Sequence, residues 1–163
     1  MTQLIVVCGL PGAGKTTVAR EIVDRTDADL IRTDVVRKEI LTEPRYTEAE
    51  TRLVYEEAFD RARESLAEGE DVVIDGTFRD RDYRIRALET AEEAEASFRL
   101  IRVRCDEDVV RERIKERVDD ESDADFEIHQ MFRETFDRVA LQHVSIDNSG
   151  TMAETLRQIA LHF

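Results

Sequence analysis

An unbroken apolar run, Leu4 to Cys8, passes directly into Gly9-Leu10-Pro11-Gly12-Ala13-Gly14-Lys15-Thr16. The run has no polar alternation, so it reads as a strand buried on both faces. Behind the loop, Val18, Ala19, Ile22 and Val23 recur at helical spacing as far as Thr26. A buried strand, a glycine-rich loop and a helix in that order leave few folds open. The glycines let successive backbone N–H groups turn toward one anion, and the helix N-terminus adds its dipole. The GxxxxGK[ST] spacing places Lys15 on the outer phosphates of a nucleotide and the Thr16 hydroxyl on Mg²⁺. Gly9, Pro11, Gly12, Ala13, Gly14, Lys15, Thr16 and Thr17 are the expected phosphate cradle.

The pattern then repeats. Asp29 to Thr33 predicts a second strand, with Asp34 as the cap of a short helix that ends before Pro44. Thr47 and Glu50 form a capping box that opens a long helix closed by Gly69. Asp71 to Asp75 is a third strand, Asp80 to about Ala94 a helix, Phe98 to Cys105 a fourth strand and Asp106 to Val118 a charged helix. The acidic, Pro-free stretch Asp119 to Asp125 predicts a loop or lid. Phe126 to Gln142 predicts a helix, His143 to Asp147 a fifth strand and Thr151 to His162 a closing helix. Strands alternating with helices require right-handed crossovers, hence an α/β fold with a parallel sheet covered on both faces. At 163 residues the expectation is a single domain over 1–163.

Charge narrows the partners. The net charge is −14, and 21 of the 24 basic residues are arginine. A field of that sign opposes loose polyanion binding, which depends on counterion release onto Lys and Arg. It also fits a salt-adapted surface. Cys8 and Cys105 close apolar runs, where reduced thiols sit, and no run is long enough to span a membrane. A cytoplasmic protein, monomeric or weakly dimeric, is expected. His129, His143 and His162 share no metal-ligand spacing.

Asp75 ends the third strand at the sheet edge where open α/β sheets present ligands, so it is the expected second Mg²⁺ residue. The P-loop, Thr33-Asp34-Val35-Val36-Arg37, Asp75-Gly76-Thr77 and Arg113-Ile114-Lys115-Glu116-Arg117 together resemble the P-loop kinases grouped with the bacteriophage polynucleotide kinase 5′-end domain. Gluconate kinase, chloramphenicol phosphotransferase, adenylylsulfate kinase and zeta-type toxins are more distant relatives in that resemblance. It implies a P-loop NTPase sandwich with strand order 2-3-1-4-5 and a small lid, and ATP with Mg²⁺ as phosphoryl donor. It implies that Asp34 is the general base, that Arg37 grips the acceptor, and that Arg113 and Arg117 neutralise charge on the transferring group. Thr77 and Arg84 match its acceptor-side spacing. Without the resemblance, Asp34 reads equally as a helix cap, and the arginines as an i, i+4 ladder with Glu112 and Glu116.

The expectation is therefore an ATP-dependent phosphotransferase acting on a hydroxyl of a small metabolite or nucleotide. A 5′-hydroxyl polynucleotide kinase shares every motif but needs a groove for a strand. A non-catalytic nucleotide-binding module would not need both Asp34 and Asp75.

Overall fold

Leu4, Ile5, Val6 and Val7 have no exposed surface, as a strand with apolar side chains on both faces requires. They form the centre of strand β1 (Gln3–Cys8) in a computed structural model that describes residues 1–116 and 122–163. Around it lie β2 (Asp29–Arg32), β3 (Val72–Asp75), β4 (Ser97–Arg104) and β5 (Val144–Asp147). All pair in parallel, in the order β2-β3-β1-β4-β5. The architecture is the five-stranded P-loop NTPase sandwich.

Alternate residues of β1 serve opposite cores. Leu4, Val6 and Cys8 pack with Val54, Ala58, Phe59 and Ala62 of helix α3 (Glu48–Ala67), and with Ala87 and Ala91 of α4 (Arg81–Glu93). The short helix α2 (Thr33–Ile40) adds Val36 to this face. Ile5 and Val7 pack with Val18, Ala19 and Ile22 of α1 (Lys15–Thr26) and with Ile159 of α7 (Met152–Ala160). Helix α5 (Glu107–Glu116) follows β4, and α6 (Ser122–Thr135) precedes β5. Among the described residues no helix is long and apolar enough to cross a membrane.

The capping box forms, with Glu50 N donating to Thr47 Oγ1 at 3.2 Å. Three boundaries differ from expectation. Helix α2 begins at Thr33 with Arg32 in the cap position and no side-chain cap bond, so Asp34 stands inside the first turn and is not the cap. Residues 119–121 of the expected Asp119 to Asp125 loop lie outside the described residues, and from Ser122 onward the chain is helical. Helix α6 ends at Thr135, seven residues before the predicted end, where the Thr135 hydroxyl turns back onto Met131 O and Phe132 O. Beyond it the chain is a strap: Asp137 N donates to Arg79 O at 2.9 Å, and Asp137 Oδ2 accepts from Arg81 N at 2.9 Å.

Candidate active site

The loop between β1 and α1 closes because two glycines do what no other residue could. Gly14 holds φ 89°, and a Cβ there would meet Asn148 Nδ2 at 2.1 Å; a Cβ on Gly9 would meet Val103 O at 2.5 Å. The loop is pinned from three sides. Gly9 N donates to Thr77 O at 3.3 Å. Asn148 Nδ2 donates to Ala13 O at 2.9 Å, while Asn148 Oδ1 accepts from Thr155 Oγ1 at 2.8 Å. His129, 1% exposed on α6, donates through Nδ1 to Pro11 O at 2.6 Å.

Asn148 and His129 carry no motif, and neither side chain is among the expected site residues. The available signal for Asn148 was that it is the sole asparagine and follows the last strand. Asn148→Ala should strand a buried carbonyl and a buried hydroxyl. We expect a loss of about 1–3 kcal/mol in chemical denaturation, with weaker nucleotide binding by calorimetry. Unchanged values in both would show that the contact does not shape the loop.

Lys15 is half-buried and donates to Leu10 O at 3.1 Å, folded back along its own loop. Desolvation by burial holds its pKa below the ordinary lysine range, partly offset by the negative charges of Asp75 and Asp34. Thr16 Oγ1 donates to Asp75 Oδ2 at 2.8 Å, so the helix residue and the strand end expected to share a cation do meet. The side chain of Asp75 is 6% exposed. Among the described residues no group of three or more His, Cys, Asp or Glu could hold a metal alone. A hydroxyl plus one carboxylate is instead the partial, all-oxygen donor set that Mg²⁺ takes when phosphate oxygens and water complete its shell. The residues present fit that ion.

Asp34 is exposed in the first turn of α2, close enough for its charge to act on Lys15. Arg37 is held between α2 and α3. Its Nη2 donates to Thr51 Oγ1 at 3.1 Å, its Nη1 lies 3.8 Å from Glu50 Oε2, and its guanidinium carbon sits 4.7 Å above the Tyr46 ring. That Nη1 is buried and has no hydrogen-bond partner among the described residues. Thr77 is half-buried, with its carbonyl occupied by Gly9. Thr17 is exposed.

The other arginines divide. Arg113 leans toward the β5 side of the loop, with Nη1 3.5 Å from Cys105 Sγ and Nη2 3.4 Å from Gly150 O. Arg117 lies outside the described residues. Arg84 does not face open space. It is 1% exposed, and it donates to Phe78 O at 2.8 Å, Arg79 O at 3.0 Å, Asp137 O at 2.8 Å and Arg138 O at 3.2 Å. An arginine so engaged ties the loop after β3 to the strap after α6, in place of the ligand contact expected for it. Arg84→Met should therefore cost more than about 3 kcal/mol of stability. Denaturant titration would measure it; a stable variant with only a raised acceptor KM would restore the substrate role.

Arg32 was missed. Its Nη2 donates to Thr16 Oγ1 at 3.3 Å and its Nε lies 3.5 Å from Asp75 Oδ2. A cavity of about 280 Å³ opens beside Gly9, Leu10 and Ala13, bounded by Arg102 and Arg104 of β4 and by His129 and Arg133 of α6.

Comparison with known proteins bears on the family and the fold. An uncharacterized protein of Mycobacterium tuberculosis (strain ATCC 25618 / H37Rv) is 33% identical over 138 positions, covering 77% of this chain. This chain spans 28% of that protein's length. Among solved structures, a gluconokinase from Sinorhizobium meliloti 1021 superposes with a TM-score of 0.72 at 24% identity, covering 98% of this chain and 92% of its own. The Mycobacterium tuberculosis APS kinase, in complex with AMPPNP and APS, gives 0.76 at 15% identity, covering 98% and 95%. At those identities the likeness is one of fold, and the fold is that of P-loop kinases. A family model described as an AAA domain matches residues 4–139, from the first strand through the strap, and the chain belongs to that family.

Proposed function

We propose that this chain transfers the γ-phosphoryl group of ATP to a hydroxyl of a small metabolite or nucleotide, with Mg²⁺ as its metal. The observation that carries the reading is the 2.8 Å bond between Thr16 Oγ1 and Asp75 Oδ2 behind a complete phosphate loop. A hydroxyl and a carboxylate held together there would supply two of the six oxygens of a Mg²⁺ shell, and the phosphates of ATP would supply more of it. When bound, Mg²⁺ supplies charge neutralisation on the phosphate oxygens.

The chain's own residues do the rest. Backbone N–H groups of residues 12–16 hold the phosphates, and Lys15 swings from Leu10 O onto their outer oxygens. Asp34 takes the proton from the attacking hydroxyl, for which an exposed carboxylate without a cap bond is suited. Arg37, whose Nη1 makes no hydrogen bond among the described residues, turns from Glu50 toward an anionic or hydroxyl group of the acceptor, and Thr77 adds a second acceptor contact. Arg113 steadies the nucleotide from the Gly150 side, and its charge, with that of Arg117, acts on the phosphates. The gluconokinase and the APS-bound kinase among the structural relatives support a small acceptor.

The test is a screen of hydroxyl acceptors with γ-labelled ATP and Mg²⁺, at low and at molar salt. Label should appear on a small alcohol or nucleotide. Label on none, with AMPPNP still bound, would leave a binding module in place of the enzyme; transfer only to 5′-hydroxyl oligonucleotides would make it a polynucleotide kinase.

A further inference from the structure

Arg32 is the last residue of β2 and pairs in register with Asp75 at the end of β3. Strand pairing alone thus delivers a guanidinium to the carboxylate of the neighbouring strand. Arg32 touches two oxygens, Thr16 Oγ1 at 3.3 Å and Asp75 Oδ2 at 3.5 Å, and those two are bonded to each other. They are also the pair that the proposed function gives to Mg²⁺, on which this inference rests. A monovalent cation already stands beside the metal position.

The hold is loose. Good charge-assisted hydrogen bonds run about 2.7–2.9 Å, and both contacts exceed that. The Nε–H is buried without a hydrogen-bond partner among the described residues. The side chain keeps 29% of its surface exposed, which leaves it a way out. Asp75 nevertheless needs it, because a carboxylate so buried is costly without a counter-charge. Lys15, the other nearby cation, makes its hydrogen bond to Leu10 O.

We propose that Arg32 is the resident counter-ion of the metal position, holding Thr16 and Asp75 in place in the metal-free protein and yielding both oxygens when a divalent cation binds. Guanidinium and Mg²⁺ repel at this range, so they exchange and do not share. Two opposite effects follow. Arg32 weakens metal binding, because it must be displaced; and it strengthens metal-free nucleotide binding, because it supplies a positive charge next to the phosphates.

The experiment measures AMPPNP affinity by calorimetry, in EDTA and in saturating Mg²⁺, for the full chain and for Arg32→Gln. The ratio of the two dissociation constants is the gain due to metal. In R32Q binding in EDTA should weaken while binding in Mg²⁺ holds or tightens, and the ratio should rise by roughly tenfold, a modest figure for losing one close charge. A structural role would move both constants together; an unchanged ratio overturns the proposal and leaves the metal assignment standing. A wild-type ratio of one would overturn the metal assignment and this proposal with it. Should R32Q fail to fold, Arg32→Lys keeps the charge but lacks the fork that spans two oxygens. A ratio raised roughly threefold then supports the proposal, and an unchanged one overturns it.

Discussion

Lys15→Met should lower phosphoryl transfer by roughly 10³ or more, the scale of removing a preorganised charge from a developing anion, while leaving the protein at least as stable as wild type. The two halves have separate causes. Lys15 makes one hydrogen bond, to a carbonyl of its own loop, so its removal strands little. Burial depresses its pKa, which means that the folded chain carries the lysine charge less readily than the unfolded chain does. A group depressed in this way destabilises the fold below its folded pKa, and the penalty fades as pH rises toward the unfolded value. Methionine has no such penalty. At neutral pH the variant should melt at an equal or higher temperature, and the difference should shrink in alkali. Turnover at the wild-type rate would sink the phosphotransferase reading; a collapsed melt would show that Lys15 holds the loop.

Asp34→Asn should lower transfer by roughly 10²–10⁴, the range for loss of a general base, with ATP binding intact. The structure sharpens this test. Because α2 starts at Thr33 with Arg32 in the cap position, Asp34 has no capping bond to lose. Its substitution belongs with surface changes, within about 0.5 kcal/mol of wild type. Single-turnover rates with an identified acceptor, beside a thermal melt, decide the matter. Normal transfer in the variant would move the base elsewhere.

What could be read in advance was whatever lies close in sequence or repeats with a simple period. The phosphate loop is eight consecutive residues and the strands are short apolar runs, so loop and strands were legible, while the sheet order came only with the family resemblance. The meeting of Thr16 with Asp75 followed from knowing which edge of the sheet each occupies. Arg32 escaped because its importance comes from register: only when β2 and β3 are aligned does it face Asp75. His129 and Asn148 escaped because each acts on a backbone carbonyl more than a hundred residues away, and a carbonyl leaves no trace in sequence. Arg84 was misread for the same reason. Two of its four partners are main-chain oxygens of the strap, which itself was expected to be helix. Asp34 shows the limit of boundary reading, since one residue separates a cap from a first turn.

The pairing of β2 with β3 also puts the counter-ion of Asp75 on an outer strand. β2 is four residues long and bonded on one side only, the kind of strand that slips most easily. A slip of one residue would turn Arg32 to the opposite face of the sheet. A slip of two would restore the face but carry the guanidinium about 7 Å along the strand axis, out of reach of Asp75. The turn before β2 guards against both, with Asp27 in the left-handed region at φ 58° and Asp29 N fixed to Asp71 O at 2.8 Å. Insertions or deletions between Thr26 and Asp29 should therefore weaken metal-free nucleotide binding as loss of Arg32 does, at lengths the sheet itself would tolerate, making this outlying turn a gauge that sets the distance between two charges at the far end of the strand.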